Sequence, residues 1–155
     1  MSRAIVQPTT TKIFARSTAK LLHRTTCLMD KAVDRALQDS VGVSLSQFLM
    51  LMQLDGGQQC QRELASELGV TPAAISRQVS MMVARGWIKK LEHDHDRRFE
   101  FLVLTTKGKR LYMRSVGAIE EVFAARYGDL DEQEQHAIYQ SLAKLAQCYE
   151  GERSS

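Results

Sequence analysis

The chain has 155 residues, 44% of them hydrophobic and 25% charged, a balance that excludes a wholly disordered or fibrous protein and fits one globular domain or a small module with extensions. Its longest apolar run, Phe48 to Met52, is far too short to span a bilayer, and the opening MSRAIVQPTT lacks the apolar core of a signal peptide. Three widely spaced cysteines (Cys27, Cys60 and Cys148) without a CxxC pair fit reduced thiols, so a cytoplasmic protein is expected, and the formal net charge of +3 leaves its partners open until its distribution is read.

After a short polar tail containing Pro8, one long helical pattern is expected over about residues 11–38. Phe14, Leu21, Leu28 and, more weakly, Arg35 recur at seven-residue steps, with Thr18, Thr25 and Ala32 between them. So narrow a stripe suits a helix–helix seam better than a globular core. Ser44 followed by Gln47 forms a capping box that opens a helix through Leu54, with Phe48, Leu51 and Met52 expected inward. Asp55-Gly56-Gly57 ends it. A short helix from about Gln61 to Leu68 comes next, then one from Pro72 to Arg85 with Thr71 as N-cap and Gly86 as its stop. Trp87–Glu92 and Phe99–Leu104 read as strands around a polar turn. A helix from Thr105 or Thr106 to about Tyr127 carries Val116, Ile119, Val122 and Phe123. Asp131 with Glu134 opens the last helix, to about Tyr149, bearing Ile138, Leu142 and Leu145.

The fold class expected is therefore mainly α with a small β-wing: a winged helix-turn-helix flanked by helical termini. Residues 1–40 form an N-terminal dimerisation helix, 41–108 the DNA-binding region, and 109–155 the C-terminal dimerisation helices. The dimer follows from burial. The apolar stripes of the terminal helices have no partner layer in so small a core, and a second copy about a two-fold axis covers them most simply. Such a dimer would offer two reading elements to half-sites about 34–36 Å apart on one face of double-stranded DNA.

The charge distribution agrees with this division. Residues 62–114 hold eleven Lys and Arg against six Asp and Glu, a net of +5, whereas residues 115–155 net −5. The positive block coincides with the helix-turn-helix and hairpin, the footprint of phosphate binding. Within the motif, Ala65 is small where the second helix crosses, Gly69 permits the turn, and Ile75 locks the two helices together. Ile75, Val79 and Met82 point inward, which leaves Ala73, Ala74, Ser76, Arg77, Gln78 and Ser80 for the outside. Arg77 can pair with a guanine edge and Gln78 with an adenine edge, while the helix start at Thr71 and Pro72 can face a phosphate.

The hairpin turn reads His93-Asp94-His95-Asp96-Arg97-Arg98. Asp96 is placed to fix the guanidinium of Arg98 by paired hydrogen bonds, aiming it at a narrow minor groove, and Lys89, Lys90 and Arg97 can contact flanking phosphates.

The runs ELASELGVTPAAISRQV and MMVARGWIKKLEHDHDRRFEFLVLTTKGKRL resemble the MarR family of winged helix-turn-helix regulators. The features that carry the resemblance are Gly86 before the first wing strand, Asp96-Arg97-Arg98 at the wing tip, and Leu104-Thr105-Thr106-Lys107-Gly108 opening a long helix. The resemblance covers residues 44–115 closely. It implies a homodimer on a pseudo-palindromic operator, usually a repressor, without catalytic activity or cofactor. It also implies release by a small, often aromatic or phenolic, effector bound between the dimerisation and DNA-binding regions, or by cysteine oxidation. One departure is Cys60 at the cap of the first motif helix, where the family commonly has Thr or Ser; a thiol accepts poorly, so a weaker cap is expected. A helix N-terminus also favours a thiolate, but a tolerated small residue is the expectation there.

Two other readings compete. The run His93-Asp94-His95-Asp96 is similar to a zinc-hydrolase ligand set, yet His136 is the one histidine after it and the surroundings are helical, so no metal site is expected. A thiol- or metal-sensing regulator of the same fold is nearer: Cys27 lies in the long first helix, where the expectation is a small buried residue without a nearby activating group.

Overall fold

The structure, a computed structural model, describes the backbone of residues 10–93 and 96–151, and the side chains among these outside positions 10, 11 and 92–100. In chain order, α1 spans Thr10–Val41, α2 Leu45–Asp55, β1 Gln59–Cys60, α3 Gln61–Glu67, α4 Pro72–Ala84, β2 Ile88–His93, β3 Asp96–Leu104, α5 Thr106–Tyr127 and α6 Glu132–Gly151. The chain divides into two compact units, Met1–Ala118 and Ile119–Ser155, with the boundary inside α5.

Local hydrogen bonds explain why the first unit breaks where it does. Ser44 Oγ accepts the Gln47 backbone N–H at 3.3 Å while Gln47 Oε1 accepts the Ser44 N–H at 3.0 Å, closing the expected capping box of α2. Asp34 ties α1 to that start by accepting the Leu45 N–H at 2.7 Å. Between α3 and α4 the chain reverses at Gly69, whose φ of +62° is open to glycine at little cost, and the Val70 N–H closes on the Ala65 carbonyl at 3.0 Å. Thr71 Oγ1 accepts the Ala74 N–H at 3.2 Å with Pro72 at the first helical position, and α4 ends at Gly86, φ +71°.

The core of this unit gathers one face from each element: Leu37 of α1, Leu51 of α2, Leu64 of α3, Ile75, Val79 and Met82 of α4, Ile88 of β2 and Leu102 of β3 are all buried. Each such side chain contributes about 1.5–3 kcal/mol of transfer free energy. The sheet is antiparallel in the order β1-β3-β2, with Cys60 opposite Phe101 and Lys90 opposite Leu102.

Several elements differ from expectation. α1 runs further at both ends than residues 11–38. On α2, Met50 is buried and Met52 exposed, because Phe48, Met50, Leu51 and Leu54 already fill the inward side. β1 is additional; its two residues are held by backbone pairing to β3 and carry no local strand pattern. The strands of the hairpin extend further into the polar stretch than expected, to His93 on one side and from Asp96 on the other. Backbone pairing is indifferent to side-chain polarity, so polar residues continue the ladder.

The start of α5 is stitched to the end of α4. The Thr105 hydroxyl lies 2.7 Å from the Gly86 carbonyl as donor and accepts the Gly108 N–H at 3.0 Å, while the Thr105 N–H donates to the Trp87 carbonyl at 3.0 Å. Lys107 Nζ donates to the Arg85 carbonyl at 2.8 Å. The motif Leu-Thr-x-x-Gly thus fixes where β3 turns into α5 and holds that joint against the end of α4.

In the second unit, Asp131 Oδ1 accepts the Glu134 N–H at 2.9 Å and Glu134 Oε2 accepts the Asp131 N–H at 3.0 Å, so the capping box of α6 forms as expected. Gln135 Nε2 donates to the carbonyls of Tyr127 and Leu130 and closes the turn before it. The apolar positions Ile138, Leu142 and Leu145 of α6 are exposed, as are Phe14 (74%), Leu21 (65%) and Leu28 (57%) of α1 in the first unit. Among the described residues no helix is long and apolar enough to cross a membrane.

Candidate nucleic-acid interface

The expected reading surface sits on α4. Its Ile75–Val79–Met82 stripe is buried, which turns the opposite side outward: Thr71, Ala73, Ser76, Arg77 and Ser80 are exposed, and Ala74 is half-buried. The small residues Ala73, Ala74 and Ser76 keep the first turns thin, so the backbone can approach a groove wall closely. Ser80 Oγ donates to the Ser76 carbonyl at 3.0 Å; its proton is therefore used within the helix and its lone pairs remain for a donor. Arg77 offers a planar fork of donors, suited to two acceptors on one base edge.

Gln78 is placed differently from the other expected readers. It is half-buried, and its Nε2 donates to Ser46 Oγ, in the first turn of α2, at 3.4 Å. Its Oε1 is shielded from solvent and has no hydrogen-bond partner among the described residues. Beside it, Gln47 Nε2 reaches Met81 Sδ at 3.5 Å, a second polar link between α2 and α4. A cavity of about 480 Å³ lies between these helices, lined by Ser46, Leu49 and Val70 together with Ala74, Arg77 and Gln78 of the reading surface. Ser46 escaped the sequence reading because its tie to Gln78 spans 32 positions and leaves no local signature.

Lys89 and Lys90 are exposed on β2, joined to α4 through the Gly86–Trp87 turn, and the Arg85 guanidinium stacks 4.8 Å from the centre of the Trp87 ring. Asp96, Arg97 and Arg98 belong to β3 by backbone; the register shifts between Glu92 and His93, which leaves both arginines in the shifted part of that strand. Their side chains, the expected Asp96–Arg98 pairing and the His93-x-His95 run lie outside the described side chains.

The start of α3 resolves the Cys60 question chemically. Cys60 Sγ accepts the Glu63 N–H at 3.5 Å and Glu63 Oε2 accepts the Cys60 N–H at 3.0 Å, so the box closes with sulfur in place of oxygen. That backbone hydrogen bond, with a smaller contribution from the Cys60 side chain, holds the Glu63 carboxyl below the usual carboxylate range. Cys27, expected to be buried, is exposed, as are the other described residues of α1 from 12 to 28. Its Sγ lies 3.8 Å from His23 Nε2 one turn earlier, so a polar neighbour is present after all.

The sequence and fold around this surface are similar to those of known proteins. A model of the MarR family matches residues 41–98, the stretch from the end of α1 to the hairpin. The HTH-type transcriptional regulator BilQ of Clostridium symbiosum is 26% identical over 110 residues, covering 70% of this chain and 76% of the relative. Wild-type MarR from E. coli in its apo form superposes with a TM-score of 0.75 at 20% identity, over 82% of this chain and 95% of that one. Residues 41–98 are thus similar in sequence to the MarR family, and the fold is that of the MarR winged-helix structures. The MarR fold extends over most of the molecule: the YusO protein of Bacillus subtilis matches with a TM-score of 0.68 and 20% identity, over 90% of this chain and 99% of that one. A mutant of E. coli MarR complexed with operator DNA matches with a TM-score of 0.71 and 20% identity, over 90% of this chain and 99% of that one. Within the MarR-family element, α3 and α4 are the helix-turn-helix and β2–β3 the wing.

Proposed function

We propose that the protein is a homodimeric repressor in the cytoplasm that reads a pseudo-palindromic operator and lets go when a small aromatic or phenolic compound binds. α4 lies in the major groove, with Arg77 on base edges and the α4 N-terminus at Thr71 facing a phosphate. The hairpin places Arg98, steadied by Asp96, in the flanking minor groove, while Lys89, Lys90 and Arg97 contact phosphates. The terminal segments 1–40 and 109–155 make the dimer and residues 41–108 the reading head. The observation that carries this reading is the polar, exposed side of α4 opposite its buried Ile75–Val79–Met82 stripe. Support for the dimer comes from the apolar residues left exposed on α1 and α6, and support for DNA as partner from the operator-bound E. coli MarR mutant of similar fold.

The test is operator affinity by fluorescence anisotropy, with oligomeric state followed by sedimentation. Arg98→Ala is expected to weaken operator binding at least tenfold, roughly the loss of one inserted, charge-assisted contact, and to leave the dimer intact. Unchanged affinity would remove the wing from the mechanism.

A second reading, release by thiol oxidation, is favoured by the exposed Cys27 thiol with His23 beside it at 3.8 Å. Operator affinity that survives peroxide but falls with a phenolic acid dismisses that version; the reverse pattern selects it.

A further inference from the structure

Gln78 is the expected base reader whose carbonyl oxygen is shielded from the reading surface. That oxygen is unpartnered among the described residues, and the amide nitrogen is bonded to Ser46 at 3.4 Å. Ser46 is not an isolated acceptor. Its Oγ lies 3.0 Å from Ser44 Oγ, which in turn accepts the Gln47 N–H that caps α2. An amide nitrogen can only donate, so Gln78 gives to Ser46, Ser46 Oγ can give to Ser44 Oγ, and that oxygen also takes the Gln47 N–H of the cap.

Reading adenine demands both polar atoms of a glutamine at once: the nitrogen donates to N7 and the oxygen accepts from the N6 amino group. In the arrangement seen, the oxygen is shielded and one N–H is held by Ser46, so the pair is not presented together. We infer that Ser46 is a specificity-determining residue which latches Gln78 in a non-reading position, so that base discrimination by Gln78 is expressed only after this latch opens. The inference rests on the operator-reading role proposed above.

The chemistry of the two states gives the direction of the effect. On leaving Ser46, Gln78 gives up one long hydrogen bond and brings an unsatisfied carbonyl out to a donor. A base edge offering a donor beside an acceptor satisfies both ends of the amide. An edge that presents only acceptors, as guanine does in the major groove, leaves the carbonyl without a partner. The apparent affinity for a matched site is the intrinsic affinity reduced by the fraction of molecules already unlatched. Where the base pair makes no contact with Gln78, latched and unlatched molecules bind alike and Ser46 is silent. Ser46 thus lowers affinity selectively for the duplex that Gln78 can read.

The test uses the full-length protein and a duplex selected by the wild type from a random library. Failure to select any sequence would sink the operator reading itself, before Ser46 is touched. Gln78→Ala then identifies the base pair at which discrimination depends on Gln78. On the selected duplex, Ser46→Ala is expected to tighten binding roughly two- to tenfold, the range for loss of one ordinary hydrogen bond that competes with binding. The gain is expected to vanish when that base pair is changed, and to vanish again in the Gln78→Ala background. Ser46→Thr, which keeps the hydroxyl, should behave as wild type. The inference is overturned if Gln78→Ala alters discrimination nowhere, or if Ser46→Ala leaves affinity unchanged. A uniform weakening on every duplex, independent of Gln78, also overturns it and makes Ser46 a phosphate contact instead.

Discussion

Gly108→Ala is a small change at the joint on which the wing and α5 both depend. A Cβ built on Gly108 would overlap the Trp87 carbonyl and stand 3.4 Å from Leu104 Cδ2. The obstacle is backbone, and that carbonyl is already fixed, since it accepts the Thr105 N–H at 3.0 Å while Thr105 also holds Gly86. Neither side can give way without loosening the link between the end of α4 and the start of α5. Overpacking against a well-fixed neighbour costs about 1–3 kcal/mol, and a backbone obstacle belongs at the upper end. Alanine returns about 1 kcal/mol of helix preference over glycine. The net is a loss of about 2 kcal/mol, or roughly 4–8 °C in melting temperature for a chain of this size. The assay is calorimetric melting at one fixed protein concentration, because association shifts the midpoint. Gly117→Ala, in the same helix with nothing within 4 Å of the added carbon, is the matched reference and is expected to melt no lower than wild type. A Gly108→Ala protein as stable as wild type would refute the account of this joint.

Other substitutions probe single links. Cys60→Ser replaces a poor acceptor at the α3 cap by a good one and is expected to raise stability by about 0.5 kcal/mol, read by urea denaturation. The cap should also respond to acid. Because Glu63 titrates below the ordinary carboxylate range when folded, its contribution is fully present above the unfolded pKa and fades as pH falls through the folded one. Stability of Glu63→Gln, followed from neutral pH downward, should therefore fall less steeply than that of wild type. Lys89→Ala is expected to weaken binding to all duplexes about equally and to reduce the slope of log affinity against log salt by about 1, whereas Arg77→Ala should relax base preference at one position.

What could be read from the sequence was what is local in the chain. Ser44 with Gln47, Thr71 with Pro72 and Asp131 with Glu134 announce helix starts within four residues, and all three caps form as expected. Gly69 and Gly86 mark reversals because few other residues tolerate their φ. The inward stripe of α4 follows from its own periodicity, and with it most of the reading surface. Partners distant in sequence were not legible. β1 exists only through pairing of Gln59 with Leu102, forty-three positions away, and nothing near Gln78 points to Ser46. The heptad of Phe14, Leu21 and Leu28 on α1 is legible as a seam that the chain itself leaves uncovered, and all three are exposed. Cys27, expected to be a small buried residue, is exposed beside them.

Sequence selection from a random duplex library bears most directly on the central claim that paired α4 helices read an operator. Wild-type protein is expected to enrich a pseudo-palindrome whose half-sites are centred about 10 base pairs apart, or a multiple of that. Arg77→Ala should enrich a degenerate version with the same spacing. Recovery of no preferred sequence, or of a single unpaired half-site, would contradict the account.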